Sequence, residues 1–309
     1  MPPTVSMLII TYNSSAVLSA CLDSIAATTS CAHELIIVDN ASTDGTPELV
    51  RTQYPGVILI DNHQNTGFAV ATNQAARQAQ GRYLLLLNPD TVVQSGVVDR
   101  LVAFMDSYSQ VGIAAPRVAN AQGQAASNTQ EFHTAGTLFW RTLRSSPLEQ
   151  LARHMLARHT GAEKSGVVAV YGCALQIRAD LFHSVGGLDE RFFLYEEDID
   201  LCYRVHRLGY DIRQAPDITI VHYGGQSSSH TDTSQAQQQV VTFAHRLRSR
   251  SLYACKHFSR RAVLGLHIGY VLIGLGLRLF SLLHNDRIVR SRRRVIGGHY
   301  LHVGVRGLR

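Results

Sequence analysis

At 309 residues, with 45% hydrophobic and 17% charged side chains, the chain has ample material for one large α/β domain or two small ones, which excludes a mostly disordered protein. The formal charge of +6 is uneven: from His245 to Arg309 there are 14 Lys and Arg against one acid, Asp286, so the remainder is net acidic. Such asymmetry points to an anionic partner for the C-terminal region, either nucleic acid or an anionic membrane surface.

Strand-like and helical runs alternate through the first half. Val5–Thr11 reads as a buried strand, and Ser14 or Ser15 can cap a helix whose apolar face is Leu18, Cys21, Leu22 and Ile25. Leu35–Asp39 is the next strand, followed by Thr46 as helix cap with Pro47 at the first helical position. Val57–Asp61 and Tyr83–Asn88 are further strands, separated by a helix from about Phe68 to Ala79. This order predicts an α/β fold with a mostly parallel sheet flanked by helices. From Asn120 to Lys164 the pattern weakens into a segment rich in Gln, Ser, Thr and His, read as an insertion or loop over the site, with a helix possible over Pro147–His159. Strand-like Val167–Tyr171 and Ala174–Arg178 follow, then an acidic helix, then Ile218–His222.

Past Gln235 the character changes, giving an expected division into a domain over 1–235 and a basic, helical tail over 236–309. Ala262–Leu277 runs without a formal charge between Arg260–Arg261 and Arg278. Sixteen helical residues cover about 24 Å, short of a typical hydrocarbon core. A helix in the membrane interface, with arginines snorkelling to an anionic surface, is therefore preferred over a span or a buried packing helix. Nucleic acid is disfavoured, because the Arg cluster at 290–294 lacks interleaved aromatics and nothing else resembles such a module. The five cysteines are odd in number, scattered and without a CxxC pair, so they read as reduced and mainly structural. No basic stretch and apolar signal segment precede the first strand, so the globular part is expected in the cytoplasm, associated with the inner membrane from that side.

The strands end in polar residues: Thr11-Tyr12-Asn13, Asp39-Asn40, Asp61-Asn62 and Asn88-Pro89-Asp90. Asn and Asp are ordinary turn formers one by one, but four such exits on neighbouring strands would line one crevice, where open parallel sheets bind ligands. There is no GxGxxG after the first strand and no GxxxxGK[ST], which disfavours dinucleotide and P-loop chemistry. A nucleotide diphosphate would then need another means of neutralising its charge. A divalent cation, Mg2+ or Mn2+, held by Asp90 fits that need. A second signal is the run from Phe192 to Cys202. There Glu197 and Asp198 continue the apolar stripe of Leu201, Cys202, Val205 and Leu208 at a helix start. Acids turned inward suggest a site, although acids also suit the positive end of a helix. Asp200 and Arg204, four residues apart, read as an ordinary helix ion pair.

Taken together, Ile10-Thr11-Tyr12-Asn13, Val38-Asp39-Asn40-Ala41-Ser42-Thr43-Asp44-Gly45-Thr46, Asn65-Thr66-Gly67-Phe68-Ala69, Leu87-Asn88-Pro89-Asp90 and Glu197-Asp198-Ile199-Asp200-Leu201 resemble the inverting glycosyltransferases of family two, in particular their rhamnosyltransferase-like branch. The likeness covers roughly residues 4–230. It implies a GT-A fold, a nucleotide-diphosphate sugar donor and a divalent metal. Residues matching Thr11, Tyr12 and Asn13 would hold base and ribose, Asp39 would contact the base, and Asn40 and Asp44 belong to the same loop. Asn65, Gly67 and Phe68 would shape the donor pocket, and Asp90 matches the last acid of the DxD motif. The first acid of that motif is Asn88 here, which weakens metal holding and raises interest in His222, where the family often has a metal- or diphosphate-contacting His. The QxxRW motif of processive synthases is absent. Within this reading Asp198 is the base, and Glu197 orients the acceptor or shares the role. The branch favours dTDP-rhamnose as donor, and the basic, apolar tail suggests a lipid-linked or glycan acceptor in cell-envelope polysaccharide synthesis. The rivals are a sugar-nucleotide nucleotidyltransferase, which needs a Gly- and Lys/Arg-rich loop not found in residues 11–20, and a non-catalytic glycan-binding protein that keeps the fold.

Overall fold

The computed structural model describes residues 2–126, 128–144, 168–223, 235–282 and 287–307, which fall into two compact units. The first is built on a sheet. Its opening half runs β1 (Val5–Thr11), α1 (Ser15–Thr28), β2 (His33–Asp39), α2 (Thr46–Gln53), β3 (Ile58–Asp61), α3 (Phe68–Gln78) and β4 (Tyr83–Leu87). β1 pairs in parallel with β2 on one side and with β4 on the other, and β2 pairs in parallel with β3. The chain thus builds outward from β1, returns and continues on the opposite side. This creates a switch in strand order at the carboxyl ends of β1 and β4. The alternation expected from the sequence is observed. Leu18, Cys21, Leu22 and Ile25 of α1 are all buried, as their spacing predicts.

The second half of this unit adds β5 (Thr91–Val92), α4 (Val97–Ser107), β6 (Val111–Ala119), β7 (Ala125–Ala126), β8 (Thr129–Glu131), β9 (Val168–Val170), β10 (Ala174–Arg178), α6 (Ala179–Ser184), α7 (Glu197–Arg207) and β11 (Asp211–His222). α5 (Ala135–Arg144), which falls between β8 and β9 in the chain, belongs to the second unit. The main sheet has the order β3-β2-β1-β4-β10-β6-β11-β5, with β7 paired to β6. β10 runs antiparallel to both β4 and β6, whereas β11 is parallel to β6. β6 is a central strand that the sequence pattern does not reveal. Its Gly112, Ala114, Ala115 and Pro116 carry little β propensity, and Gly112 is there because a Cβ would lie 2.6 Å from Leu181. The weakly patterned segment read as a loop also contains the short strands β7 and β8 and the helix α5. The helix considered over 147–159 lies outside the described residues.

The second unit takes in, among the described residues, 133–144, Leu194–Glu196 and the C-terminal helices α8 (Gln235–His257), α9 (Arg260–Leu282) and α10 (Arg287–Gly307). It therefore reaches beyond the tail that composition alone marks off at 236. Leu138, Leu247, Tyr270, Leu277, Ile296 and Tyr300 form its core. α9 and α10 approach closely at paired glycines: a Cβ on Gly274 would stand 2.8 Å from the Gly297 carbonyl oxygen. α9 is longer than the uncharged stretch, because Arg260–Arg261 and Arg278–Leu282 continue it at either end.

Candidate active site

The exits of β1 and β2 are joined by a dense polar network. Thr11 is fully buried, and its hydroxyl donates to Asp39 Oδ1 at 2.8 Å. The same carboxylate accepts from the Ser42 hydroxyl and main-chain amide at 2.6 and 2.8 Å. Ser42 in turn accepts from the Asn13 amide at 2.7 Å, and Asn13 Oδ1 accepts from the Thr43 amide at 2.8 Å. Asn13 and Ala41 sit in the left-handed region at φ 51° and 64°, so this loop pair is strained where it turns off the sheet. Tyr12 is the member of the group with an exposed ring, at 43% of its surface. Thr11 and Asp39 thus brace the crevice, and Tyr12 presents a face for stacking.

Asp44 does different work from its neighbours. Its carboxylate accepts from the Ser15 amide at 2.9 Å and from the Thr46 amide and hydroxyl at 3.1 and 2.5 Å, closing the first turns of α1 and α2 together. Asn40 ties β2 to the next loop: Oδ1 accepts from Asn62 and from the Thr66 hydroxyl at 3.0 and 3.1 Å, and Nδ2 donates to the Gly67 carbonyl at 3.3 Å. Asn65 Oδ1 accepts from the Gly67 amide at 3.0 Å. Gly67 has φ +86°, and a Cβ there would lie 2.6 Å from the Phe193 carbonyl oxygen, so no other residue fits. That carbonyl accepts from the Phe68 amide at 2.8 Å.

The loop after β4 carries Asn88 and Asp90. Asp90 is 2% exposed, and its Oδ1 lies 3.0 Å from His222 Nε2, with Asn88 Nδ2 3.4 Å from the same nitrogen. Asp90 Oδ2 is buried with no hydrogen-bond partner. A buried carboxylate oxygen left without a donor is costly unless a cation meets it. Among the described residues no group of three or more His, Cys, Asp or Glu is placed to hold a metal ion by itself. The donor set of Asp90 and His222 therefore suits a hard divalent cation that draws its remaining ligands from water and phosphate oxygens.

Two successive residues link this loop to the acidic helix. The Gly172 amide donates to Asp198 Oδ2 at 2.9 Å, and the Cys173 carbonyl accepts from the Asn88 amide at 3.0 Å. Burial, followed by the charges of Asp198 and Asp90 among other contributions, pushes the Cys173 thiol up to about 12. A Cβ on Gly172 would touch Asp198 at 3.5 Å and Phe68 at 3.9 Å. Glu197 is buried at the start of α7, and Asp198 beside it is half-buried.

With this crevice described, its relatives can be compared. A profile of glycosyl transferase family 2 matches residues 6–175. The chain belongs to glycosyl transferase family 2. This family-2 glycosyltransferase is 24% identical over 253 residues to an N-acetylglucosaminyl-diphospho-decaprenol L-rhamnosyltransferase of Mycobacterium tuberculosis, covering 76% of this chain and 80% of that one. It is 26% identical over 226 residues to a low-salt glycan biosynthesis hexosyltransferase of Haloferax volcanii, covering 72% and 68%. Among solved structures it resembles a mannosyltransferase of Pyrobaculum calidifontis in complex with GDP-Man and Mn2+, at a TM-score of 0.55 and 16% identity over 100% of this chain and 88% of that one. It also resembles S. aureus TarS at a TM-score of 0.51 and 15% identity, covering 97% and 91%. The fold of the glycosyltransferase is GT-A.

Of the residues singled out from the sequence, Asn88, Asp90 and His222 meet directly, and Gly172 and Cys173 bring Asp198 to them. The sequence reading passed over Gly172, left Cys173 as structural and did not single out Phe193. The signal at Phe193 was available in its position beside the acidic run. The Asp200–Arg204 pair requires correction. It forms at 2.8 Å as the spacing predicts, but Asp200 is fully buried and Arg204 also donates to the Val185 carbonyl at 2.8 Å. Because α7 turns this face to the interior, the pair is structural, and removing one partner would strand a buried charge at a cost of about 3–5 kcal/mol.

Proposed function

We propose that this glycosyltransferase transfers a sugar from a nucleotide-diphosphate donor, with inversion at the anomeric carbon, to a hydroxyl of a lipid-linked or other glycan acceptor. The observation that carries this reading is the Gly172–Cys173 pair, which gives Asp198 and the Asn88–Asp90 loop a common support. Asp198 takes the proton of the acceptor hydroxyl as its oxygen bonds to the anomeric carbon. The bond from that carbon to the diphosphate oxygen breaks, and its electron pair leaves with the nucleoside diphosphate. General-base assistance of this kind contributes about 10²–10⁴-fold. Asp90 and His222 would hold a divalent cation, whose chemistry when bound is to offset the charge of the leaving diphosphate. Tyr12, Phe68 and the braced loops of Asn13 and Asn40 bind and orient the donor.

Likeness to the rhamnosyltransferase supports dTDP-rhamnose as first choice of donor, and the lipid diphosphate in that relative's name supports an acceptor of that class. The tail supports attachment to an anionic membrane surface. Among the described residues, α9 is the one helix long and apolar enough to cross a membrane. Its Leu266, Tyr270, Ile273 and Leu277 are buried, whereas Leu264, Ile268, Leu272, Leu275, Leu279 and Leu282 are exposed at three- and four-residue steps along the other side. A helix packed on one side and apolar on the other suits the plane of the interface better than a span. On this reading the protein works at the cytoplasmic side of the membrane.

The test is incubation of the full chain with dTDP-rhamnose, UDP-sugars and GDP-sugars, a polyprenyl-diphosphate sugar and Mg2+ or Mn2+. Acceptor-dependent release of nucleoside diphosphate, with a product of inverted anomeric configuration, is expected for one donor. No release from any donor, or retained configuration, would sink the reading.

A further inference from the structure

Within the second unit, the last turns of α9 and the part of α10 packed on them flank an open cavity of about 550 Å³. It is lined by Leu275, Arg278, Leu279, Ser281, Leu282 and Arg294. Positions 275, 278, 279 and 282 share one helix face by their three- and four-residue spacing. The three leucines are exposed and end the apolar stripe that runs along α9. The Arg278 side chain lies over the glycines of α10, where a Cβ on Gly298 would stand 3.5 Å from its Nη2. From α10, Arg294 Nε donates to the Ser281 hydroxyl oxygen at 3.4 Å, and that hydroxyl donates to the Arg278 carbonyl at 2.6 Å. Ser281 is fully buried, so it ties the two arginine positions to one rim of the cavity.

The charge of these arginines has no counterpart nearby. α8, α9 and α10 contain no Asp or Glu, and Asp286, between α9 and α10 in the chain, lies outside the described residues. The one acid among the described residues of this unit is Glu196. It is already engaged by His133 at 2.6 Å and Arg250 at 3.3 Å. Arginines also suit the negative end of a helix, but Arg293 meets that end of α9, donating to the Phe280 carbonyl at 3.5 Å. Arg278 and Arg294 therefore present guanidinium forks beside an exposed apolar wall. A phosphate suits the forks, which match its oxygens in pairs, and a hydrocarbon chain suits the wall.

We infer that this cavity binds one anionic phospholipid. Arg278 and Arg294 hold its phosphate, and the first methylenes of its acyl chains lie on Leu275, Leu279 and Leu282. The inference deepens the reading of the tail as attached to an anionic membrane surface, and rests on that reading for the source of the lipid. It adds a site of one-to-one stoichiometry to what would otherwise be a diffuse attraction to surface charge. It uses none of the catalytic, nucleotide or metal assignments.

The experiment titrates the full chain with monomeric dihexanoyl-phosphatidylglycerol and with glycerol phosphate, and floats it with phosphatidylcholine vesicles containing phosphatidylglycerol. Wild type is compared with Arg278→Gln plus Arg294→Gln and with a control, Arg260→Gln plus Arg261→Gln, which removes the same charge elsewhere. All four arginines are exposed, so both variants keep the fold. Wild type should bind the short-chain lipid saturably, one to one. The first pair should weaken that binding about tenfold or more and the control by no more than about threefold, since paired forks act at contact and distant charges are screened. Leu275→Ser with Leu282→Ser should weaken the lipid and leave glycerol phosphate unchanged. Equal weakening by the two arginine pairs would mean diffuse charge and overturn the site. Glycerol phosphate bound as tightly as the lipid would overturn the lipid as occupant. A wild type that floats while both arginine pairs lose equally keeps the membrane reading and rejects the site. One that binds the short-chain lipid through Arg278 and Arg294 without floating keeps the site and rejects the membrane reading.

Discussion

The main-chain amide of Gly172 donates to Asp198 Oδ2 at 2.9 Å, leaving Oδ1, which also meets the Ile199 amide at 2.8 Å, as the second oxygen of the same carboxylate. An amide side chain can accept both bonds through one oxygen only. Asp198→Asn should therefore keep one of the two main-chain bonds while removing the proton acceptor. The expected outcome is a fall in kcat of about 10²–10⁴-fold, with nucleoside-diphosphate affinity within about threefold of wild type. Steady-state kinetics beside calorimetric titration check it, and near-normal turnover would remove Asp198 from the role of base.

Asp90 presents the complementary case, a buried oxygen that meets no hydrogen-bond donor. Asp90→Ala and His222→Ala should each weaken nucleoside-diphosphate binding in Mn2+ by about tenfold or more, as loss of a metal ligand does. They should leave the weak binding in EDTA unchanged. If the variants lose affinity equally with and without Mn2+, the two residues hold the nucleotide directly and the metal assignment fails.

Much of this was legible in the sequence because the elements of the first half obey simple periods. Buried parallel strands read as apolar runs, and α1 reads as a stripe. The polar strand ends stand out in the sequence too, and the structure joins those of β1 and β2 in one hydrogen-bonded network, but their division of labour did not show. Residue type says that Thr11, Asp39 and Asp44 can bind something, and only the fold says that they bind one another and the ends of α1 and α2. The contribution of Gly172 is a main-chain amide, which no side-chain pattern announces. Glu196 stayed hidden for a related reason. It adjoins two acids of obvious interest, yet its partners His133 and Arg250 lie 63 and 54 residues away in the chain.

The apolar stripe on α9 yields a test independent of catalysis. Leu272 and Leu279 are each 64% exposed, so neither supports the core of its own unit. Leu272→Asp with Leu279→Asp should leave the melting temperature within about 2 °C, as exposed substitutions away from special features do. It should lower partition onto vesicles containing anionic lipid by about tenfold or more, through lost apolar burial and added negative charge. Flotation with and without phosphatidylglycerol measures this. Undiminished flotation would place the membrane contact elsewhere, and a large fall in melting temperature would show the stripe to be core.

Asp44 separates folding from ligand binding by its response to pH. Burial raises its carboxyl, but hydrogen bonds from Thr46 and Ser15 outweigh this and hold it below its ordinary value of 3.8. The folded value is therefore the lower of the two, and the unfolded chain takes up a proton first as pH falls. Linkage then gives a stabilisation that is complete above the unfolded value, near pH 4, and lost as the pH drops through the folded one. Asp44→Asn should lower the urea midpoint at pH 6, and the gap from wild type should narrow as the pH is taken toward 3. A gap that stays constant over that range would mean that the carboxylate charge contributes nothing to joining α1 and α2. Asp44 would then be released for the nucleotide contact that its place in the loop after β2 first suggests.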